Sequence, residues 1–159
     1  YYMISTKNET SIDFDLDQVV KKNKDNHVFY CQYAYARASS IIHKASQLNI
    51  NTDKIQNLNL FDKNISDDEL EIIKLIISYP YLVFQAAINN EPHRLVSYLE
   101  ILCTKFHSLW NKGKENESLR FIDELNIDHT KSKLFWIQSF RIIVKDIFSI
   151  IGIEAPEKM

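Results

Sequence analysis

Glycine and proline are scarce in this chain of 159 residues, which contains only 2 Gly and 3 Pro. A β-rich protein of this length needs many tight turns, and these two residues build most of them. The composition therefore argues against a turn-rich β fold and favours helices. A glycine-rich phosphate loop is also missing, since Gly113 and Gly152 are the only glycines and each follows a helical pattern as a terminator.

Cysteine is equally rare, and Cys31 and Cys103 each stand alone inside an apolar stretch. This placement predicts reduced packing residues of an intracellular protein rather than a disulfide or a metal-binding pair. The sequence shows no apolar run near the roughly 18 residues of a membrane span, and no signal peptide at its start. Because the chain opens on YYMIS without a methionine, we expect it to be a piece of a longer protein.

Motifs for metal binding and catalysis are missing as well. Asp13, Asp15 and Asp17 have the spacing of a calcium loop, but Gln18 and Lys24 stand where such a loop needs Gly and Glu. The five histidines form no zinc-binding pattern, and no nucleophile signature occurs. The sequence therefore predicts no metal site, no cofactor and no catalytic residue within these residues.

Apolar residues make up 45% of the chain and charged residues 25%, with a net charge of −2. These values fit one folded domain, and the net charge gives no global attraction to nucleic acid. The apolar residues recur with a helical period, so we predict an all-α bundle of five to six helices. The predicted helices cover residues 16–22, 28–48, 69–79, 81–90, 93–112 and 131–151.

Several residues mark the expected boundaries of these helices. Ser66 and Glu69 form a capping box, and Pro80 is expected to end one helix before the next begins. Pro92 suits a first turn, while Gly113 and Gly152 are expected to close helices. We expect residues 1–15 to be a connector from a preceding domain, with YYMIS extended, residues 49–65 to be an asparagine-rich loop, and residues 16–159 to be the helical domain.

The predicted helix over residues 28–48 divides into two faces when it is turned by about 100° per residue. Its core face carries small and aliphatic side chains, namely Cys31, Ala34, Ala38, Ile41, Ile42 and Ala45. Tyr30, Tyr33, Arg37 and Lys44 fall together on a flank, inside a stretch that is rich in basic residues. Rings interleaved with cations suit single-stranded nucleic acid, because bases stack on the rings and phosphates meet the cations. Two alternatives stay open: the tyrosines line a helix–helix boundary, and the charges form a solvated face.

Four segments, in order, resemble a known family. IDFDLDQV resembles "LDFDLDLA", DNHVFYCQYAYARASSI resembles "DNPVYYVQYAHARICSI", EPHRLVSYLEILCTKFHSLWNKG resembles "EPHRIARYLYDLAGAFHSFWN", and GIEAPEKM resembles a "GV-x-APERM" ending. Together they cover nearly the whole chain. On these segments the sequence resembles the C-terminal anticodon-binding (DALR) domain of arginyl-tRNA synthetase.

The resemblance implies a helical domain that grips the anticodon stem-loop of arginine tRNA. The implied contacts to the anticodon loop are Tyr30, Phe106 and Met159, with Lys22, Lys24 and Asn26 in a loop that approaches it. Gln32, Arg94 and Trp110 also match the family, and we interpret them as packing or network residues. His27 replaces the usual proline, Tyr35 stands in place of a histidine, and Phe106 lacks a hydroxyl that some relatives have there.

The same resemblance places catalysis elsewhere. A separate catalytic domain would use ATP with magnesium to attach arginine to the tRNA 3′ end, and the expected partners are arginine tRNA and that domain. We expect a cytoplasmic monomer that does not bind a membrane. The alternative hypothesis is a non-catalytic helical protein–protein interaction domain without RNA function.

Overall fold

Helices make up nearly all of the regular structure in the computed structural model, which describes residues 1–7, 9–11, 15–23, 25–50 and 65–159. Within these ranges there are five α-helices, two 3-10 turns and no strand. The helices are α1 (Leu16–Val19), α2 (His27–Gln47), α3 (Asp67–Ile88), α4 (His93–Glu115) and α5 (Ile127–Ile150), and the 3-10 turns are Tyr2–Ile4 and Glu117–Leu119. The all-α prediction is confirmed, with four long helices and one short helix where five to six helices were predicted.

α2 begins one residue earlier than the sequence predicted. The Asn26 side chain accepts a hydrogen bond from the Phe29 backbone N–H at 3.2 Å, which satisfies one of the free donors at the helix start. The predicted core face is confirmed, because Cys31, Ala34 and Ala38 are fully buried. These small side chains allow α4 and α5 to pack closely on α2.

α3 corrects the prediction that Pro80 separates two helices, since it runs unbroken through that residue. Proline removes one backbone donor from a helix interior, so tertiary contacts must support this turn. Next to it, the Leu75 carbonyl accepts hydrogen bonds from the Tyr98 hydroxyl at 2.8 Å and the Ser78 hydroxyl at 2.7 Å. Tyr79 in turn donates to Asp146 of α5 at 2.5 Å. α3 therefore packs against both α4 and α5.

The continuous α3 also corrects the prediction that no apolar stretch approaches a membrane span. By length and composition alone, Asp67–Ile88 is long and apolar enough to cross a membrane, and 17% of its most apolar window is buried. The sequence interpretation missed this helix because it divided the stretch at Pro80.

The ends of α4 and α5 differ in their use of glycine. Gly113 does not terminate α4 as predicted but lies inside it, buried where a Cβ atom would come within 3.1 Å of the Leu119 carbonyl oxygen. Its missing side chain lets the 3-10 turn after α4 pack back on the helix. Gly152 follows α5 with a φ of +71°, as expected of a helix terminator.

The N-terminal segment is not extended, because Tyr2–Ile4 forms a 3-10 turn. The Tyr1 hydroxyl donates to Glu100 of α4 at 2.6 Å, and the Tyr2 hydroxyl donates to Asn26 at 2.9 Å. These bonds fix the segment against the start of α2 and the middle of α4. Asp13 and residues 51–64 of the predicted loop lie outside the described residues, and the domain boundary at residue 16 stays a prediction.

Aromatic side chains fill the centre of the bundle. The Phe106 ring lies 4.5 Å from the Phe140 ring and 5.4 Å from the Phe121 ring, in nearly parallel stacks. Both cysteines are free and buried, as predicted. The core therefore involves α2, α3, α4, α5 and the segment after α4, and it fixes the direction in which the outer side of α2 points.

Candidate nucleic-acid interface

Tyr30, Tyr33, Arg37 and Lys44 lie on one side of α2, and we call these four residues the α2 flank. Tyr33 and Lys44 are exposed, whereas Tyr30 and Arg37 are half-buried. The first three meet two residues of α4, His107 and Trp110. The structure thus brings together the four α2 residues that helical geometry predicted.

Tyr33 and Arg37 form a packed pair on the surface of the α2 flank. The Arg37 guanidinium carbon lies 4.2 Å from the centre of the Tyr33 ring, and Nη2 donates to the Tyr33 hydroxyl at 2.8 Å. The same guanidinium carbon also lies 4.9 Å from the centre of the Trp110 ring. Cation–π contacts of this kind orient a guanidinium without neutralising it. Among the described residues Arg37 has no carboxylate partner, so its charge stays available to an anion.

His107 connects the members of this cluster from inside the bundle. Its Nε2 lies 3.1 Å from the Tyr30 carbonyl oxygen, and its Nδ1 lies 3.4 Å from Arg37 Nη1. Burial lowers the pKa of His107, and the nearby Arg37 charge lowers it further. A neutral ring with the proton on Nε2 satisfies both contacts, since a carbonyl only accepts and a guanidinium only donates. His107 therefore holds the Arg37 side chain and the Tyr30 backbone in place.

Tyr30 covers the buried histidine. Its ring lies 4.2 Å from the His107 ring at an angle of 42°, and Tyr33 stacks on the same histidine at 5.7 Å. Burial raises the pKa of the Tyr30 hydroxyl. Tyr30 thus lies half-buried at the boundary between α2 and α4, with its ring packed on His107, and its contact with RNA stays a prediction.

The loop before α2 contributes less free surface than the resemblance implied. Lys22 is exposed, and Lys24 lies outside the described residues. Asn26 is buried and uses both ends of its amide: Oδ1 accepts from Tyr2 and from the α2 backbone, and Nδ2 donates to the carbonyls of Val19 at 2.8 Å and Lys21 at 2.7 Å. Asn26 therefore positions the loop instead of offering hydrogen bonds to a ligand.

Phe106 and Met159 lie apart from the α2 flank in different ways. Phe106 is 0% exposed in the aromatic core, so its ring offers no surface to an RNA base in this structure. Met159 is 53% exposed at the end of the C-terminal segment. That segment is anchored by Gln32, which donates to the Glu154 carbonyl at 2.9 Å, and by an ion pair between Arg141 and Glu157. Gln32 is thus the network residue that the sequence suggested.

Sequence reasoning missed His107 as part of the site and interpreted Trp110 as a packing or network residue. Both belong to the segment KFHSLWNK, which carried one of the four matches, so the resemblance already marked them. Their role depends on the contact between α4 and α2, which no single-helix pattern reveals.

Comparison with known proteins identifies a family for most of the chain. The model of the family described as "DALR anticodon binding domain" matches residues 31–159. Arginine–tRNA ligases of Brucella ovis and Brucella anthropi are each 38% identical to this chain over its whole length. The chain spans 28% of the length of these curated relatives.

Two solved structures share the fold. A Campylobacter jejuni protein described as an arginyl-tRNA synthetase superposes with a TM-score of 0.81 at 24% identity, over 100% of this chain and 32% of its own. The Thermus thermophilus arginyl-tRNA synthetase superposes with a TM-score of 0.75 at 23% identity, over 99% of this chain and 25% of its own. These likenesses show that the same helical arrangement occurs as one part of much longer proteins.

Proposed function

The chain belongs to the DALR anticodon-binding domain family, and from this premise we propose that it binds the anticodon stem-loop of arginine tRNA on the α2 flank. The anticodon loop is single-stranded, and proteins recognise such loops by stacking bases on aromatic rings and meeting phosphates with cations. Binding here contributes affinity and selection, and the bond-making chemistry is assigned to a separate catalytic domain.

One observation carries this proposal: an exposed tyrosine lies on α2 beside an arginine that has no carboxylate partner among the described residues. Tyr33 and Arg37 are held by His107 and Trp110, so a base that stacks on the flank meets rings that are already ordered. Preorganised rings lose little conformational entropy on binding. Lys44 continues the positive charge along the same side of α2 and extends the surface available to a phosphate backbone.

We also propose that the chain works as part of an arginine–tRNA ligase, in which it orients the tRNA toward a distant active site. That reaction attaches arginine to the tRNA 3′ end and uses ATP with magnesium. The described residues do not fit ATP or its metal ion: they include no glycine-rich phosphate loop and no group of three His, Cys, Asp or Glu side chains that could hold a metal ion. We therefore assign ATP and its magnesium to the catalytic domain of the longer protein. We also propose that the protein is cytoplasmic.

The partner proposed for α3 is that catalytic domain. Ile77, Tyr81, Phe84 and Ile88 recur at helical spacing along α3 and are each between 56% and 71% exposed. We call these four residues the α3 stripe. An exposed apolar row of this length is typical of a contact surface. Since the curated relatives are more than three times as long as this chain, a neighbouring domain of the same polypeptide is the occupant we propose, in a monomeric enzyme.

The test is a binding titration of this chain with an arginine tRNA anticodon stem-loop across a series of salt concentrations. We expect affinity to fall steeply with salt, because phosphate contacts release counterions, and to be higher than for an unrelated stem-loop. Tyr33→Ala should weaken binding by about 1–3 kcal/mol, the usual contribution of one stacked base. Tyr81→Ala, which removes an exposed tyrosine from α3, is the matched control and should bind as the wild type does.

Tyr30→Ala should weaken binding by a similar amount, but it also removes packing on His107, so its folded fraction must be measured alongside. Equal affinity for both stem-loops, or no binding at low salt, would contradict the proposal. That second result would favour the alternative function, a protein–protein interaction domain, for which the exposed α3 stripe is the supporting observation.

A further inference from the structure

The C-terminal segment, residues 151–159, follows α5 and lies against α2. Gln32 of α2 holds its first half, since the side-chain amide donates to the Glu154 carbonyl at 2.9 Å. Ile153 packs on the core and, together with Phe29, lines a cavity at the start of α2. The Phe29 ring in turn stacks 6.5 Å from the exposed tyrosine of the α2 flank. A row of contacts therefore connects this segment to the proposed RNA surface.

Arg141 of α5 holds the second half of the segment. Its Nε donates to the Ser39 hydroxyl at 3.0 Å, and its Nη2 donates to the Glu157 carboxylate at 3.2 Å. The guanidinium carbon also lies 5.5 Å from the centre of the Tyr35 ring, which is 2% exposed. We call Arg141, Tyr35, Ser39 and Glu157 the Arg141 clamp. Two of its members belong to the buried side of α2, so the clamp ties the segment to that helix.

The two attachment points give the segment a direction along α2. Gln32 and Ser39 are about two helical turns apart, which is about 10.5 Å along the axis. Glu154 and Glu157 are three residues apart with no helical structure between them, and three extended residues span about 10 Å. The segment therefore runs in the same direction as α2, and its last residues reach the level of the two cations of the α2 flank.

The end of the segment carries a positive charge that depends on the clamp for its surroundings. Lys158 is exposed, and the preceding Glu157 side chain is 68% exposed. An unpaired carboxylate beside Lys158 would repel a phosphate, whereas the ion pair with Arg141 neutralises it. Ion pairs this exposed contribute little to folding stability. The effect to look for is therefore on the position and charge of the segment.

We propose that Arg141 is a positioning residue for RNA binding, which holds the C-terminal segment along α2 so that Lys158 meets a phosphate of the RNA. The inference rests on the proposed function and adds a residue of α5 to it. It also gives a role to Tyr35, which stands where the resemblance has a histidine, because its ring supports the guanidinium from the side of α2.

The experiment opens the clamp without touching the core. Glu157→Ala removes the carboxylate partner of Arg141, and Glu154→Ala removes the same charge from the same segment but keeps the backbone carbonyl that Gln32 binds. We expect Glu157→Ala to weaken binding of the arginine anticodon stem-loop about two- to tenfold, because a released segment must be ordered on binding. Glu154→Ala should bind at least as tightly as the wild type, since it only removes a negative charge. Thermal unfolding checks that both variants are folded.

The salt dependence of binding reports the position of Lys158. In the wild type, Lys158→Ala should lower the slope of log affinity against log salt by about one. In Glu157→Ala the same change should have no further effect on the slope, because the lysine is no longer held. Arg141→Lys keeps the charge but cannot hold Ser39 and Glu157 together, so it should weaken binding as Glu157→Ala does, and no further in combination with it. A purely structural role of the clamp would not produce this dependence.

The outcomes separate the two proposals. If the stem-loop binds and depends on Tyr33, but Glu157→Ala binds as tightly as Glu154→Ala, the clamp inference is overturned and the proposed function stands. The same holds if Lys158→Ala leaves the wild-type slope unchanged, or lowers it equally with the clamp open. If the wild type binds no stem-loop at low salt, both proposals are overturned. Weaker binding in Glu157→Ala, with a Lys158 effect that disappears there, supports the clamp.

Discussion

His107 is the residue that joins the members of the α2 flank, and its protonation state decides whether that connection holds. As a neutral ring it accepts from Arg37 and donates to the Tyr30 carbonyl. A proton on Nδ1 would remove the acceptor and place two positive charges within 3.4 Å. The exposed side of α2 is therefore organised by a buried residue on another helix.

We predict that His107 makes folding stability depend on pH below neutrality. Its folded pKa is lowered from an ordinary value near 6.5, so the unfolded chain binds more protons. This contribution is fully present above about pH 6.5 and is lost as the pH falls toward the lowered value, by at most about 1.4 kcal/mol per pH unit. His107→Gln keeps a donor and an acceptor but cannot titrate in this range.

Urea unfolding at pH 7.5 and pH 5.5 measures the effect. Other groups titrate in both proteins, so the informative quantity is the difference in unfolding free energy between wild type and His107→Gln at each pH. The unfolding free energy of the wild type minus that of His107→Gln should be smaller at pH 5.5 than at pH 7.5. A difference that stays constant between the two pH values would show that His107 does not titrate differently in the folded chain.

At the scale of the helices, the sequence predicted what a single helix determines by itself. The division of α2 into a core face with Cys31 and Ala34 and a flank with Tyr33 and Arg37 follows from the helical period alone. The start of α3 at Ser66 was equally local, because a capping box needs only residues three positions apart. Such features need no knowledge of neighbouring helices, and the structure confirms them.

Features that depend on packing between helices could not be predicted from the sequence of a single helix. Pro80 predicts a helix end by its local chemistry, but contacts of α3 with α4 and α5 keep the helix continuous. The resemblance implied that Phe106 contacts the anticodon loop, yet Phe121 and Phe140 stack on its ring in the core. His107 became part of the site only because α4 packs against α2 at Tyr30.

We predict that the start of α3 depends measurably on its capping box. The Ser66 hydroxyl accepts from the Glu69 backbone N–H at 3.3 Å, and the Glu69 carboxylate accepts from the Ser66 backbone N–H at 3.1 Å. Ser66→Ala should lower the free energy of unfolding by about 1 kcal/mol, with a range of roughly 0.5–2 kcal/mol. Thermal or urea unfolding measures it.

Ser108→Ala is a suitable control for this change, because Ser108 is exposed in the middle of α4 and alanine is the better helix former there. It should leave stability unchanged or raise it slightly. Equal stability of Ser66→Ala and the wild type would mean that contacts of α3 with α4 and α5, not the cap, fix the start of the helix.

At the scale of the whole molecule, two exposed surfaces of opposite character have to be explained together. The α2 flank is aromatic and positively charged, whereas the α3 stripe is apolar, and the two lie on different helices. A membrane, a second copy of the chain or another domain could cover an apolar stripe. The charged flank needs access to RNA, and coverage by a catalytic domain on α3 leaves α2 free for it.

We predict that the α3 stripe is needed for assembly with the catalytic domain and is not needed for RNA binding. The double variant Ile77→Lys and Phe84→Lys places two charges on this stripe, where desolvating them in an interface would be costly. In the longer protein it should lower aminoacylation at least tenfold, while the 159-residue chain with the same changes should bind the stem-loop as the wild type does.

Leu125→Lys is the matched control, since Leu125 is 99% exposed and lies outside α3. It should leave aminoacylation intact. Sedimentation of the 159-residue chain, and its mixing with lipid vesicles, examine the other two occupants. Self-association or vesicle binding that the double variant abolishes, together with unchanged aminoacylation, would assign the stripe to one of them instead. Loss of aminoacylation in the double variant alone means that the apolar side of this domain faces its own enzyme, and that the charged side is left to the tRNA.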